Sequence, residues 1–372
     1  MWWIPLIVAP ITQGIPDDAD PAVVAIVRTD GTLRCSGTVI AERVVLTAAH
    51  CGVHVDPSAY RVFFGNELGT GTSIDIVEAI AHPAFDDTES HDLALVLLAE
   101  SSPAPPVATQ AIATQLRLVG FGDTAGGAND GTRKREGTTM VTSMTATSVV
   151  LGADPSLPCN GDSGGPAFAG LDIAAVVSRG DPACTANGKA TRVDAHLADF
   201  ITPYVAATAP GTREVGERCK YDAHCTAGSC VVASDEPLLR YCSTACDGES
   251  DCPADMDCVD DACRYREPTP GAIGSTCEMT PAVCVRGECI DAGYCSVRCV
   301  SGRDDCPARF ECSHLGGIDF FCTPVPEGDG CCDAGGGSSG AGALLLALGL
   351  YITTERRRSS CRSRRTRLRT SS

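Results

Sequence analysis

Short apolar runs separated by polar turns fill the first half of the chain. Between Ala22 and Ser178 these runs are rich in Val, Ile, Leu and Thr, and Gly, Asp, Pro or Ser bound them. Such a pattern is typical of β-strands. Only the segment VDAHLADFITPYVAA, from Val193 to Ala207, has apolar positions at helical spacing. The pattern predicts an all-β body that ends in one helix.

Most of the cysteines lie in one block that follows this β-rich part. Of the 23 cysteines, four precede residue 200, sixteen lie between Cys219 and Cys322, and three lie in the last 42 residues. Such density is typical of a disulfide framework formed in an oxidising compartment. Zinc is the competing use of cysteine, but the block contains no CxxC pair. We therefore expect disulfides, a secreted or cell-surface protein, no bound metal and no cofactor.

The cysteine block consists of two similar halves. Both contain the frames YCSxxC and DCPAxxxC, which begin at Tyr241 and Asp251 in the first half and at Tyr294 and Asp305 in the second. Each half holds eight cysteines, which predicts four disulfides per repeat and leaves 105 pairings open. The predicted domains are a signal or pro segment at 1–10, a β-rich domain at 11–208, a linker at 209–217, cysteine-rich repeats at 218–266 and 275–324, and a tail at 328–372.

The tail runs from a cysteine pair through a Gly/Ser spacer to an apolar stretch, Ala341 to Ile352, and then to arginines. That order is typical of a sorting signal that contacts the membrane of the cell envelope, with a short apolar helix and arginines kept on the cytoplasmic side. The alternative, a disordered basic end, leaves the apolar stretch unexplained. The first ten residues are apolar but short for a secretory signal and lack Lys and Arg.

Charge separates the tail from the rest of the chain. The formal net charge is −18, yet Thr353 to Ser372 carries eight arginines and one acidic residue, a net +7, which leaves −25 for the remainder. An acidic body argues against nucleic acid as a partner. The acidic run DGESDCPADMDCVDD has clustered carboxylates but not the spacing of an EF-hand, so we interpret it as a solvated surface and not as a calcium site.

Three motifs supply the parts of a nucleophilic serine site. A serine hydroxyl attacks an amide only with a base in reach and a third group that fixes the base's tautomer. LTAAHC offers His50, HDLALVLL offers Asp92 and CNGDSGGP offers Ser163. The chain order His, Asp, Ser differs from the orders of subtilisin and of the α/β-hydrolases.

On these motifs, residues 11 to about 207 resemble the trypsin and chymotrypsin family of serine proteases, the S1 peptidases. The resemblance implies two six-stranded β-barrels with the site between them, and a serine endopeptidase that forms an acyl-enzyme on protein or peptide substrates. His50 is then the base, Asp92 its orienter and Ser163 the nucleophile. The backbone N–H groups of Gly161 and Ser163 form the oxyanion hole.

Other family features follow from the same resemblance. It implies the disulfides Cys35–Cys51 and Cys159–Cys184, and it likens Ser178 to the serine that supports the buried aspartate. Activation in this family frees an N-terminal Ile that pairs with the aspartate beside the nucleophile, here Ile11 and Asp162. Ile11 begins ITQG where the family has IVGG, and no Arg or Lys precedes it.

The resemblance also indicates a specificity pocket lined by Leu157, Ser178, Gly180 and Gly188. Leu157 stands where members that cleave after Arg or Lys carry an acid, so we expect cleavage after large apolar residues. Arg179 replaces the family's usual tryptophan, and Asp181 would restore a basic preference if it turned inward.

Two further interpretations concern the role of the whole chain. The alternative to an active protease is an inactive homologue that acts as a binding or adhesion protein through its repeats, but all three catalytic motifs are intact. We expect the repeats to bind a protein or glycan, by analogy only. The layout as a whole resembles surface proteins of myxobacteria with a MYXO-CTERM-type sorting tail, in which Cys331 or Cys332 marks the processing site.

Overall fold

The computed structural model describes residues 11–86, 91–153, 155–277, 284–301, 303, 305–314 and 319–325. The predicted signal segment at 1–10 and the tail at 328–372 lie outside the described residues. The chain divides into two units, Met1–Pro324 and Val325–Ser372, and everything below concerns the first. Within the described ranges, every helix is too short or too polar to cross a bilayer.

The first six-stranded barrel forms from the runs that the sequence marks as strands. A short strand β1 (Ile15–Pro16) precedes it. The barrel strands are β2 (Val23–Arg28), β3 (Leu33–Ala41), β4 (Val44–Thr47), β5 (Tyr60–Phe64), β6 (Thr72–Ala81) and β7 (Ala94–Leu98). They close in the order β2-β3-β4-β7-β6-β5. Every residue of β4 and β7 is buried, because these β-branched and aliphatic runs pack into the barrel core.

The second barrel uses the next six strands. They are β8 (Gln115–Gly120), β9 (Arg135–Met144), β10 (Ser148–Ala153), β11 (Pro166–Ala169), β12 (Asp172–Gly180) and β13 (Asn187–Arg192). The pairing of β8 with β9 closes the ring, and β1 adds to β9 from outside. The predicted all-β class, with a double barrel of the chymotrypsin type, is confirmed.

The predicted C-terminal helix is present but irregular. A 3₁₀ turn (Asp194–His196) and a π turn (Leu197–Ile201) precede the α-helix α1 (Thr202–Ala207). Pro203 stands in the first turn of α1. Proline has no N–H to give to the carbonyl four residues earlier, so a regular α-helical ladder cannot run through this point.

The two predicted cysteine-rich repeats each contain two smaller units. Each unit is one β-hairpin with four cysteines, paired first to third and second to fourth. The hairpins are β14/β15 (Ser229–Val232, Arg240–Ser243), β16/β17 (Met256–Val259, Ala262–Tyr265), β18/β19 (Glu288–Cys289, Cys295–Ser296) and β20/β21 (Phe310–His314, Phe320–Pro324).

The eight disulfides of these units follow one rule. They are Cys219–Cys230 and Cys225–Cys242, Cys246–Cys258 and Cys252–Cys263, Cys277–Cys289 and Cys284–Cys295, and Cys299–Cys312 and Cys306–Cys322. No bridge joins two units among the residues described. Such a framework indicates a protein that matures in an oxidising compartment.

The first cysteine unit packs directly on the first barrel. The Tyr221 ring is buried with the barrel core, and the Arg43 guanidinium lies 4.3 Å from its centroid. Lys220 pairs with Glu78 of β6. The predicted linker at 209–217 takes part in this packing, because the N–H of Arg213 donates to the His224 carbonyl at 2.9 Å. The linker is therefore an ordered joint.

Truncating Tyr221 should test this joint. We expect Tyr221→Ala to lower the free energy of unfolding by about 3 kcal/mol, because the buried ring leaves a cavity. It should also expose residues 209–217 to an added protease. Urea unfolding and mass spectrometry of the fragments measure both effects. Tyr221→Phe, which loses only the hydroxyl, should cost about 1 kcal/mol. If Tyr221→Ala and the wild type resist urea and the protease equally, the packing at this joint does not contribute to the stability of the protein.

Candidate active site

His50 and Asp92 meet at the edge of the first barrel. His50 lies on the turn that follows β4, and Asp92 comes two residues before β7. The Nδ1 atom of His50 lies 2.7 Å from Asp92 Oδ2, and the backbone N–H of His50 donates to Asp92 Oδ1 at 2.9 Å. The hydroxyl of Ser178 donates to Asp92 Oδ2 at 2.6 Å. These contacts fix the imidazole edge that faces away from Ser163.

Asp92 is fully buried yet ionised. Burial raises the pKa of a carboxyl, but the hydrogen bonds from His50 and Ser178 outweigh that effect and leave the pKa of Asp92 below its usual value. A buried anion with these partners holds the His50 proton on Nδ1, which leaves Nε2 as the basic nitrogen.

The loop that carries Ser163 is held by β3 of the first barrel. The N–H of Ser36 donates to the Ser163 carbonyl at 2.8 Å, and the Ser36 hydroxyl donates to the Gly161 carbonyl at 2.8 Å. Gly164 has φ +81°, and a Cβ there would lie 2.1 Å from Thr47 Oγ1. The two barrels therefore fix this loop together, and glycine is required at its tightest point.

The peptide between Asn160 and Gly161 is held in one orientation by Asp123. The Asn160 carbonyl accepts the N–H of Asp123 at 2.7 Å. Because C=O and N–H point to opposite sides of a trans peptide, the Gly161 N–H points away from Asp123. Gly161 has φ +94°, and a Cβ there would lie 2.7 Å from Leu33. A side chain at this position would displace the loop.

The Ser163 hydroxyl is near its proposed base without bonding to it. Its Oγ donates to the Ser178 carbonyl at 3.3 Å, and no hydrogen bond to His50 occurs among the described residues. Substrate-free sites of this kind often show long contacts that shorten only when substrate binds. A rotation of the Ser163 side chain is therefore part of any reaction here.

Asp162 has no cationic partner among the described residues. Its Oδ1 accepts the N–H of Gly122 at 2.8 Å, and its Oδ2 accepts the N–H of Cys159 at 2.9 Å. Burial raises the pKa of Asp162 to about 7, although these two bonds oppose the rise. Ile11 is fully buried in the core of the second barrel. Its nitrogen is amide-bonded to residue 10 in this chain and supplies no charge.

This burial predicts a pH-dependent stability. The pKa of Asp162 is higher in the folded chain than its ordinary value of 3.8, so between about pH 4 and 7 the folded state keeps a proton that the unfolded state has lost. Stability should fall as the pH rises through that window, by on the order of 3 kcal/mol. Asp162→Asn should remove most of this slope. Urea unfolding of both chains at pH 4.5 and 7 measures it, and an unchanged slope in the variant contradicts the assignment.

A cavity of about 210 Å³ lies beside Ser163. Ser178, Gly180 and the disulfide Cys159–Cys184 line it. Leu157 and Gly188 are not among its described lining residues. Leu157 is buried, and its N–H donates to Thr12 Oγ1. Pro158 covers Gly188, since a Cβ on Gly188 would lie 2.6 Å from the Pro158 ring.

Two charged residues, Arg179 and Asp181, line the cavity. Asp181 accepts the N–H groups of Thr185 and Ala186 at 2.9 and 2.8 Å. Its carboxylate therefore caps its own loop and does not turn inward. Arg179 lies at the rim of the cavity.

Three residues in this site were not found from the sequence. Arg34 donates to the His50 and Cys51 carbonyls at 3.0 and 2.8 Å and so supports the turn that carries His50, beside the disulfide Cys35–Cys51. Ser36 holds the Ser163 loop, and Pro158 covers Gly188. Ser36 and Gly161 are 125 positions apart in the sequence, so no local spacing pattern predicts their contact.

Comparisons with known proteins agree with this geometry. A family model described as Trypsin matches residues 12–201. A trypsin of Saccharopolyspora erythraea is 28% identical over 193 residues, which covers 45% of this chain and 85% of the relative. Among solved structures, neuropsin from mouse brain, a serine protease, is 23% identical with a TM-score of 0.46, over 52% of this chain and 98% of the other. Human heparin binding protein is 22% identical with a TM-score of 0.47, over 53% and 97%.

Proposed function

Because the chain belongs to the trypsin family of serine proteases, we propose that it is an active endopeptidase with His50, Asp92 and Ser163 as its catalytic triad. The observation that carries the proposal is the buried Asp92 carboxylate, whose Oδ2 lies 2.7 Å from His50 Nδ1 and 2.6 Å from the Ser178 hydroxyl. A buried carboxylate with these partners stabilises the imidazolium that forms when His50 takes a proton.

The chemistry proceeds in two similar halves. Nε2 of His50 takes the Ser163 proton while Oγ bonds to the substrate carbonyl carbon. The N–H groups of Gly161 and Ser163 hold the resulting oxyanion. The C–N bond then breaks, and His50 returns the proton to the leaving amine. Water attacks the acyl-enzyme by the same route, and Ser163 regains its proton.

The proposed preference is for an apolar residue before the scissile bond. The cavity lining includes Val177 and the disulfide Cys159–Cys184, and its two charged members are Arg179 and Asp181. The Asp181 carboxylate is bonded to its own loop, and the buried Leu157 carries no charge. Leu, Met, Phe or Tyr therefore fits this cavity better than Lys or Arg, which would find no free carboxylate among the lining residues described.

The proposed activation step frees the amine of Ile11. A cation beside Asp162 would lower the pKa of that carboxyl and stabilise its ionised form. The burial of the Ile11 side chain in the second barrel supports this position as the mature start. N-terminal sequencing of the active form should find Ile11 first, and a start well away from it would refute the step.

A fluorophosphonate probe tests the proposed function. The disulfide-intact secreted protein should become labelled at one serine, and peptide mapping should identify it as Ser163. A panel of peptides that differ only in the residue before the scissile bond then reports specificity. Cleavage after Arg or Lys would contradict the pocket assignment. No labelling from a correctly processed chain would favour the inactive homologue, with the cysteine units as its binding part.

A further inference from the structure

Three histidine rings meet beside the segment that carries Asp92. His82 follows β6, His91 immediately precedes Asp92, and His196 lies in the turn before the C-terminal helix. One ring nitrogen from each lies within 4.8 Å of the other two. The ring centroids are 4.7 to 5.0 Å apart. Residues from three distant parts of the chain thus bring three ligand-type side chains to one point.

Among the described residues, some nitrogen atoms of these imidazoles have no hydrogen-bond partner. His196 is 1% exposed, and within the described part of the chain neither of its ring nitrogens has a hydrogen bond, nor does the buried Nδ1 of His91. An unsatisfied buried polar atom costs free energy, so a packed core normally avoids it.

A carboxylate lies next to the same cluster and is open to solvent. Asp199 Oδ2 lies 3.6 Å from His82 Nε2, and Asp199 Oδ1 lies 3.8 Å from His196 Nδ1. The Asp199 side chain is 59% exposed, which provides a route for an ion. Zinc bonds nitrogen and oxygen at about 2.0–2.2 Å, so neighbouring ligand atoms in a tetrahedral site are roughly 3.4 Å apart. The two Asp199 contacts are a few tenths of an ångström longer than that, and the three histidine nitrogens, which lie within 4.8 Å of one another, would have to move closer together.

We propose that His82, His91 and His196, with Asp199 as a fourth ligand, bind a divalent transition-metal ion, for which zinc has the fitting ligand set. Three imidazoles and one carboxylate match the N/O ligands and coordination number of zinc. Binding requires small adjustments. The rings of His82 and His91 are nearly parallel, so one must turn, and His82 Nδ1 gives up its bond from the Ala84 N–H if Nε2 becomes the ligand.

The ion would tie three segments of the protease domain together. It would link the end of β6, the residue before Asp92 and the turn that leads to α1. Because the ligands are far apart in sequence, such a crosslink opposes unfolding of the whole domain. The site is independent of the catalytic proposal, since none of its ligands is His50 or Ser163.

Cobalt(II) and zinc(II) titrations of the full chain test the site. The protein should carry an affinity tag without histidines and keep its disulfides. We expect one equivalent of cobalt(II), with the visible absorption of a tetrahedral complex, which zinc(II) displaces. Saturating zinc(II) should raise the unfolding temperature by about 5 °C. Wild-type protein that binds no cobalt(II) and gains no stability from zinc(II) overturns the proposal.

Two substitutions locate the ion, and two serve as controls. His196→Phe, which keeps an apolar ring beside Phe200, and the less buried His91→Asn should each weaken binding at least about 100-fold. His314→Gln changes an exposed histidine and His50→Ala the proposed base, and both should bind as the wild type does. Circular dichroism checks that each variant is folded. The assignment is wrong if His196→Phe and His91→Asn both still bind cobalt(II) as the wild type does, or if His50→Ala does not bind it. Neither outcome bears on the reactivity of Ser163.

Discussion

Replacing Ser163 with alanine should lower the hydrolysis of a cleavable peptide by about 10⁶-fold, the loss that follows when a triad of this type loses its nucleophile. The reason is specific to the site. Among the described residues, Ser163 lies on a loop whose carbonyl groups are held by Ser36 and by Asp123, and this loop carries the N–H groups proposed to hold the oxyanion. The measurement is kcat/KM for one good peptide, together with fluorophosphonate labelling.

A matched serine gives the control for this result. Ser143 lies exposed on β9 of the second barrel, and Ser143→Ala should retain wild-type kcat/KM and labelling. Ser163→Ala should bind a substrate-like peptide with little change, because its Oγ contacts only the Ser178 carbonyl. Substantial hydrolysis by Ser163→Ala would contradict the assignment of the nucleophile.

Replacing Asp92 with asparagine should lower kcat by about 10⁴-fold while the fold persists. The side chain keeps its shape, but the carboxylate now uses both oxygens as acceptors, Oδ1 for the His50 backbone N–H and Oδ2 for the His50 Nδ1–H and the Ser178 hydroxyl. An amide has one oxygen, so its NH2 group would face one of these donors. The imidazole then favours the tautomer with its proton on Nε2, which cannot take the proton of Ser163. Pre-steady-state acylation by an activated ester would measure the loss directly.

The control for this change is an aspartate outside the site. Asp75 is exposed on β6 and pairs with Arg61, so Asp75→Asn should leave acylation unchanged. An acylation rate in Asp92→Asn within tenfold of the wild type would show that Asp92 does not orient His50. Unfolding temperatures of both variants distinguish a catalytic loss from a structural one.

Local patterns in the sequence predicted the barrels but not their contacts. Runs such as β4 and β7 are apolar throughout, so their strand character is visible without the partner strand. The motifs around His50, Asp92 and Ser163 are local too, and the structure brings the first two within hydrogen-bond distance. The contacts of Ser36 and Pro158 could not be predicted from the sequence, because they depend on which loops the fold brings together.

The cysteine-rich part of the chain is built from units half the size of the repeats that the sequence predicts. The shared frames around Tyr241 and Tyr294 predicted two repeats, yet the pairing Cys225–Cys242 already closes a unit before Cys246. Cysteine spacing alone does not distinguish one repeat of eight cysteines from two units of four, since four disulfides fit either arrangement. The histidine cluster was missed for a related reason: His82 and His196 are far apart along the chain, and neither has a motif around it.

Pairing within four-cysteine units has a consequence for the formation of the disulfides. Eight cysteines that pair as one set have 105 pairings, whereas four have three. Because each hairpin unit contains both of its own bridges, a unit can oxidise correctly as soon as its fourth cysteine reaches the oxidising compartment. Its yield then does not depend on the segments still to come, and a wrong bridge in one unit stays confined there instead of spreading through the array.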